Sequence, residues 1–149
     1  METTTIDNVS DTPYQDAVKC SSFQSSVKLE VNDLVKTCHS LAKEAGWWKY
    51  IQHGSLDVMS KDSVCTKLLL IVTEISESTE GLRKDLMDDK LPHRKMFEVE
   101  LADTLIRLLD LAGATGIDLG GAVAEKLAYN AIREDHKLEN RAKEGGKQF

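Results

Sequence analysis

Val27, Val31, Leu34, Cys38 and Leu41 recur at intervals of three and four, the spacing that turns apolar side chains to one side of an α-helix. The same period returns twice more. Val64, Leu68, Ile71, Ile75, Leu82 and Leu86 follow it, and so do Phe97, Leu101, Leu105, Leu108 and Ala112. No segment shows the alternation of a half-buried strand, and no internal repeat is present. Helices joined by short links are what this pattern supports, so the expected fold class is all-α.

Breaks in the period set the expected boundaries. A first helix runs from about Ser25 to a stop at Gly46. The segment 46–62, "GWWKYIQHGSLDVMSKD", keeps no period and reads as a connection. A second helix starts near Asp62 or Ser63, either of which suits an N-cap, and runs to about Met87 before Pro92 interrupts the chain. A third covers roughly 94–114 and stops at Gly116. Asp118 suits the N-cap of a fourth, "LGGAVAEKLAYNAIREDHKLEN", which ends before Gly145 and Gly146. The expectation is a four-helix bundle over residues 25–142, between a flexible Thr-, Ser- and Asp-rich arm (1–24) and a short tail (143–149). Ile106, Leu109 and Leu111 lie off the third helix's main stripe. Four helices have trouble hiding so much apolar surface among themselves, so subunits are expected to share it.

Composition narrows the function classes. A chain of 149 residues builds one core. A net charge of −6 argues against binding a nucleic-acid polymer or an anionic membrane. No run approaches the roughly 20 apolar residues of a membrane span, and the first 20 residues lack the basic start and apolar block of a signal peptide. Cys20, Cys38 and Cys65 are scattered without a CxxC. These features together lead to the expectation of a soluble cytoplasmic protein with reduced thiols.

The chemistry-bearing pattern is acidic. In "LLLIVTEISESTEGLR" an apolar run leads straight into Glu74 and Glu77, three residues apart on one side of the second helix. Glu100 and Asp103 repeat that spacing on the third, with 22 residues between the pairs. Antiparallel packing would bring the pairs face to face. Each like-charge pair at ~5 Å then repels by about 3 kcal/mol at an effective dielectric near 20. Such a group must protonate, spread apart or hold cations, and hard oxygen ligands favour Mg2+, with Mn2+ as substitute. In a chain with 25 acidic residues, acid-x-x-acid spacings also arise on solvated helix faces, and a single pair would be read that way. Glu80 is read as solvated. On the fourth helix Lys126, Asn130, Arg133 and Lys137 form one strip, suited either to phosphate oxygens or to solvated pairing with Glu125 and Glu134. None of His39, His53, His93 or His136 has a Glu three residues earlier, which sets aside a di-iron bundle. A helical interaction module with solvated acidic faces remains the rival from another class.

"TEISESTEGLR" followed by "EVELADTLIRLLDLAGATGIDLGGAVAEKLAYNAIRE" resembles the MazG-like all-α nucleoside triphosphate pyrophosphatases, in particular their short single-domain phage type. The family pattern is E-x-x-E, a gap of one or two dozen residues, E-x-x-D, and a downstream K-x-x-x-N-x-x-R. Glu74, Glu77, Glu100 and Asp103 match the first parts, and Lys126, Asn130 and Arg133 the last. "HSLAKEAGWW" and the closing "GGK" add to a likeness covering about residues 34–147. Thr73 departs from it where many relatives carry a further Glu.

The resemblance implies Mg2+-dependent hydrolysis between the α and β phosphates, giving monophosphate and pyrophosphate. It also implies two or three ions per site and assembly as a dimer or dimer of dimers. Glu74, Glu77, Glu100 and Asp103 become metal ligands, one of them orienting water, and Lys126, Asn130 and Arg133 become phosphate contacts. The phage likeness favours dGTP or GTP, with dCTP and dUTP next. Trp48 and His39 are candidates for contacting the base, against an ordinary packing role for each; adjacent Trp47 diverges from Trp48. Arg107 and Asp110, one and two turns past Asp103, either brace the acidic site or form plain surface pairs. Lys147 either contacts phosphate in a neighbouring subunit or belongs to a frayed end.

Overall fold

Ser60 opens the central helix: its hydroxyl accepts from the Ser63 amide at 3.1 Å, satisfying one of the donors that a helix start leaves unpaired. The cap thus lies two residues before the nearer of the two expected ones. A computed structural model describes residues 16–146, and among them the regular elements are helical. They are α1 (Ser21–Glu44), α2 (Lys61–Lys84), α3 (Met96–Thr115), α4 (Leu119–Ile132), a 3-10 turn (Glu134–His136) and α5 (Leu138–Arg141). One isolated bridge joins Met87 to Lys95. Helix α1 begins inside the stretch read as an arm; residues 1–15 of that arm, and Lys147, lie outside the described residues.

The described chain forms two compact units. Val31–Asp118 contains most of α1, the tryptophan-bearing connection, α2 and α3. Helices α2 and α3 pack antiparallel, as the contacts record: Gly81 lies against Met96, the Ser78 hydroxyl donates to the Phe97 carbonyl at 3.2 Å, and Glu74 meets Arg107 further along. Gly81 permits this approach, since a Cβ there would lie 2.9 Å from Met96 Cβ and Cγ. Asp85, at φ 53°, ends α2 two residues before the expected stop at Met87. Helix α3 ends at Gly116, as its sequence position suggests; with φ 68° and the Gly54 carbonyl 2.8 Å from any added Cβ, only glycine fits.

The core of this unit is Trp48, Met59, Ile71, Leu111 and Ala114, with Ala42, Ile51 and Val64 against it. This corrects the expected stripes. On α3, Leu101, Leu105 and Leu108 are exposed, Leu105 by 50%, while Glu100, Leu109, Leu111 and Ala114 are buried. On α2, Leu68, Ile75 and Leu82 are likewise exposed and Glu74, Ser78 and Gly81 are buried. Leu34 and Leu41 of α1 face outward and Val35 inward. The helix–helix seam runs through small and acidic residues, and much of the apolar face of each helix remains uncovered in the single chain.

The second unit joins the residues before Val31 with those from Leu119 onward. Val18, Gly120, Gly121 and Ala124 are buried. The long fourth helix expected from the sequence is broken. Helix α4 stops at Ile132, Arg133 is extended, and Asn140 donates to the Glu134 carbonyl at 2.7 Å. Side chains that bond the nearby backbone offer it an alternative to the helical ladder.

Candidate functional site

Glu74 on α2 and Glu100 on α3 are both buried, whereas Glu77, one turn past Glu74, reaches solvent. One carboxylate oxygen from each lies within 4.8 Å of the others. At that range and a dielectric near 20, each ionised pair costs about 3 kcal/mol. Glu100 responds accordingly. Burial first, then a hydrogen bond with Glu74 and the charges of Glu77, Glu74 and Asp103, push its pKa up to about 7. Antiparallel packing and the i, i+3 spacing account for the meeting: α2 brings Glu74 and Glu77 to the seam, and α3 brings Glu100.

Asp103 is placed differently from the other three. It is exposed and stands outside the tight group, although burial and the Glu74 charge raise its pKa, against the lowering effect of Arg107. Arg107 crosses the seam to Glu74, its Nε 2.7 Å from Oε1, so it braces the acidic group and does not serve as a surface pair. Asp88 was missed by sequence reasoning. It is buried in the α2–α3 turn, accepts from the amides of Lys90 (3.0 Å) and Leu91 (2.5 Å), and its charge adds to the upward shift of Asp103. An Asp followed by a polar turn ahead of Pro92 is the available signal, and it points to a turn, not to a site. Thr73 donates to the Leu70 carbonyl at 2.7 Å and is occupied locally.

Trp48 and His39, the two candidates for contacting the base, stand together, with ring centroids 5.6 Å apart. Trp48 is 2% exposed, and Lys67 sits 4.3 Å over its ring. Its indole donates to Asp110 Oδ1 at 2.8 Å, and His39 Nδ1 meets the same oxygen at 2.8 Å. His53 closes the group at 5.3 Å from Trp48 and 5.5 Å from His39, centroid to centroid. Asp110 therefore serves this aromatic cluster and not the acidic seam. Beside it opens a pocket of about 450 Å3, lined by Trp48, Lys49, Ile51, Gln52, His53 and Val58.

The basic residues belong to the second unit. Lys126 and Asn130 share one side of α4, whereas Arg133 and Lys137 lie past its end, which breaks the expected single strip. Lys126 and Arg133 still converge on Tyr129, at 4.9 and 5.8 Å from its ring. Arg133 is engaged by both oxygens of Asp135, at 2.9 and 2.6 Å, and Lys137 by Glu134 at 2.7 Å. The Asn130 side-chain oxygen is buried without a hydrogen-bond partner, a situation that is rare in folded proteins and that a bound donor would relieve.

The carboxylates of Glu74, Glu77 and Glu100 form a hard-oxygen donor set that a metal ion can bridge. The three carboxylate oxygens are close enough to share an ion, and among the described residues no His or Cys joins the group. Searches against known protein families, curated proteins and solved structures find no match for this chain.

Proposed function

We propose that this chain is a Mg2+-dependent nucleoside triphosphate pyrophosphatase, with Mn2+ as a substitute, that cleaves the α–β phosphate bond to give monophosphate and pyrophosphate. The observation that carries this reading is the convergence of Glu74, Glu77 and Glu100 across the α2–α3 seam. The spacing of these acids, followed by Lys126, Asn130 and Arg133, supports it through the MazG-like resemblance.

Glu74, Glu77 and Glu100 would hold dications there, two or three per site, which would supply water activation and neutralisation of phosphate oxygens. Glu74 and Glu100 hold their oxygens from the buried side of the seam, while Glu77 faces solvent and orients the attacking water as hydrogen-bond acceptor. Asp103 completes the ligand set from the rim. Lys126 and Arg133 neutralise the departing pyrophosphate, with Asn130 as a polar contact; Arg133 must exchange Asp135 for phosphate to do so. The preferred base is guanine, as dGTP or GTP, with dCTP and dUTP as the alternatives. We place the activity in the cytoplasm, that of the host if the chain is phage-encoded. The exposed rows Leu68, Leu69, Leu101 and Leu105 support a homodimer or homotetramer.

Incubation with each of the eight common NTPs and dNTPs, quantifying monophosphate and pyrophosphate, tests the reading. Glu77→Gln and Asp103→Asn should each lose more than the roughly 10–100-fold that outer partners of a metal site cost. Wild-type pyrophosphate release from either variant at saturating Mg2+ removes that residue from the site. The same uncovered apolar rows favour a second reading, a non-catalytic helical interaction module. Absence of any calorimetric heat with Mg2+ or Mn2+, with or without nucleotide, selects the module.

A further inference from the structure

Arg107 leaves α3 one turn beyond Asp103 and two turns beyond Glu100, and it reaches across the seam to Glu74. The pair is asymmetric. The Glu74 side chain is 8% exposed, while that of Arg107 is 45% exposed, so a solvent-facing guanidinium extends inward to a buried carboxylate. A carboxylate in this position needs a cation beside it whether or not a metal is bound. Arg107 supplies one from the chain itself. Its Nε holds an oxygen of Glu74, one of the three carboxylates that an ion would bridge, and a dication bound to that carboxylate would repel it. An exposed, long side chain can yield.

Resting on the metal-site reading above, we propose that Arg107 is a stand-in cation: it neutralises Glu74 in the metal-free protein, is driven off that carboxylate by the dication, and then takes phosphate oxygens of the substrate. The guanidinium fork suits a phosphate as well as a carboxylate, so one side chain serves both states. Metal loading and triphosphate capture are then linked through one residue. The consequence is a pair of effects with opposite signs. Removing the guanidinium removes a competitor of the metal and a partner of the phosphate, whereas loss of a mere brace weakens both or neither.

Calorimetric titration of the full chain with Mn2+ alone, then with an α,β-methylene triphosphate in saturating Mn2+, distinguishes these outcomes. Arg107→Met should bind Mn2+ about tenfold more tightly and the triphosphate about tenfold more weakly, the size expected for one charge-assisted contact. Arg107→Lys should fall between it and the wild type. Unchanged or weaker Mn2+ binding by Arg107→Met overturns the proposal while leaving the metal site standing. No Mn2+ heat from either protein removes the metal site, and the proposal with it. A measurement on the wild type needs no variant to fold: the Arg107 Nε–H resonance should leave its carboxylate-bonded position as Mg2+ saturates the site. A resonance that stays in place at saturation overturns the exchange.

Discussion

Replacing Glu100 by Gln should make the metal-free protein more stable at alkaline pH. Its carboxyl lies with oxygens of Glu74 and Glu77 inside a 4.8 Å group, and its pKa rises from 4.5 to about 7. At 1.36 kcal/mol per pH unit, ionising Glu100 in the fold costs about 3 kcal/mol more than in the unfolded chain. The direct repulsion of one neighbouring carboxylate has the same size. The sign follows from the raised value. The native protein holds this proton more tightly than the unfolded chain does, so the contribution to stability is intact below pH 4.5 and is lost as pH climbs through about 7. Glutamine remains neutral and can still donate to Glu74. Thermal unfolding in EDTA should therefore show Glu100→Gln level with wild type near pH 4.5 and higher by up to ~10 °C at about pH 8. Saturating Mg2+ should reverse the order, because only the wild type retains the full donor set. A variant no more stable than wild type at pH 8 in EDTA refutes the account of a strained acidic seam.

Asp110→Ala leaves the buried Trp48 indole and His39 without their shared acceptor; denaturation followed by tryptophan fluorescence should show a loss of about 1–3 kcal/mol. Gly81→Ala drives a methyl against Met96 in the α2–α3 seam, and a loss of about 1–3 kcal/mol in chemical denaturation is expected. Under the proposed activity, Lys126→Ala should raise KM for the preferred triphosphate about tenfold, through loss of the proposed charge-assisted phosphate contact. Unchanged kinetics would take Lys126 out of the site.

Helix existence was legible because the period of apolar residues and the stops at Gly46 and Gly116 are local in sequence. Which side of each helix became the seam was not. Leu101 and Leu105 look like core by period, yet Glu100 and Ala114 turn inward. Periodicity reports that a helix has an apolar side, and it is silent on whether the same chain covers that side. The fourth helix failed for a related reason: from Glu134 to Asn140 nothing in the sequence resembles a breaker, and the break appears only in how Asn140 and Asp135 bond nearby groups.

The acidic site divides the same way. Spacing alone determined that Glu74 with Glu77, and Glu100 with Asp103, project as pairs, because an i, i+3 relation is a property of one helix. The tertiary structure decided that three of these acids meet while Asp103 stands at the rim, that Arg107 crosses to Glu74, and that Asp110 serves Trp48 and His39 instead. Burial and charge neutralisation depend on partners brought from distant parts of the chain, so Glu100 becomes a reluctant acid only once two helices have closed on it.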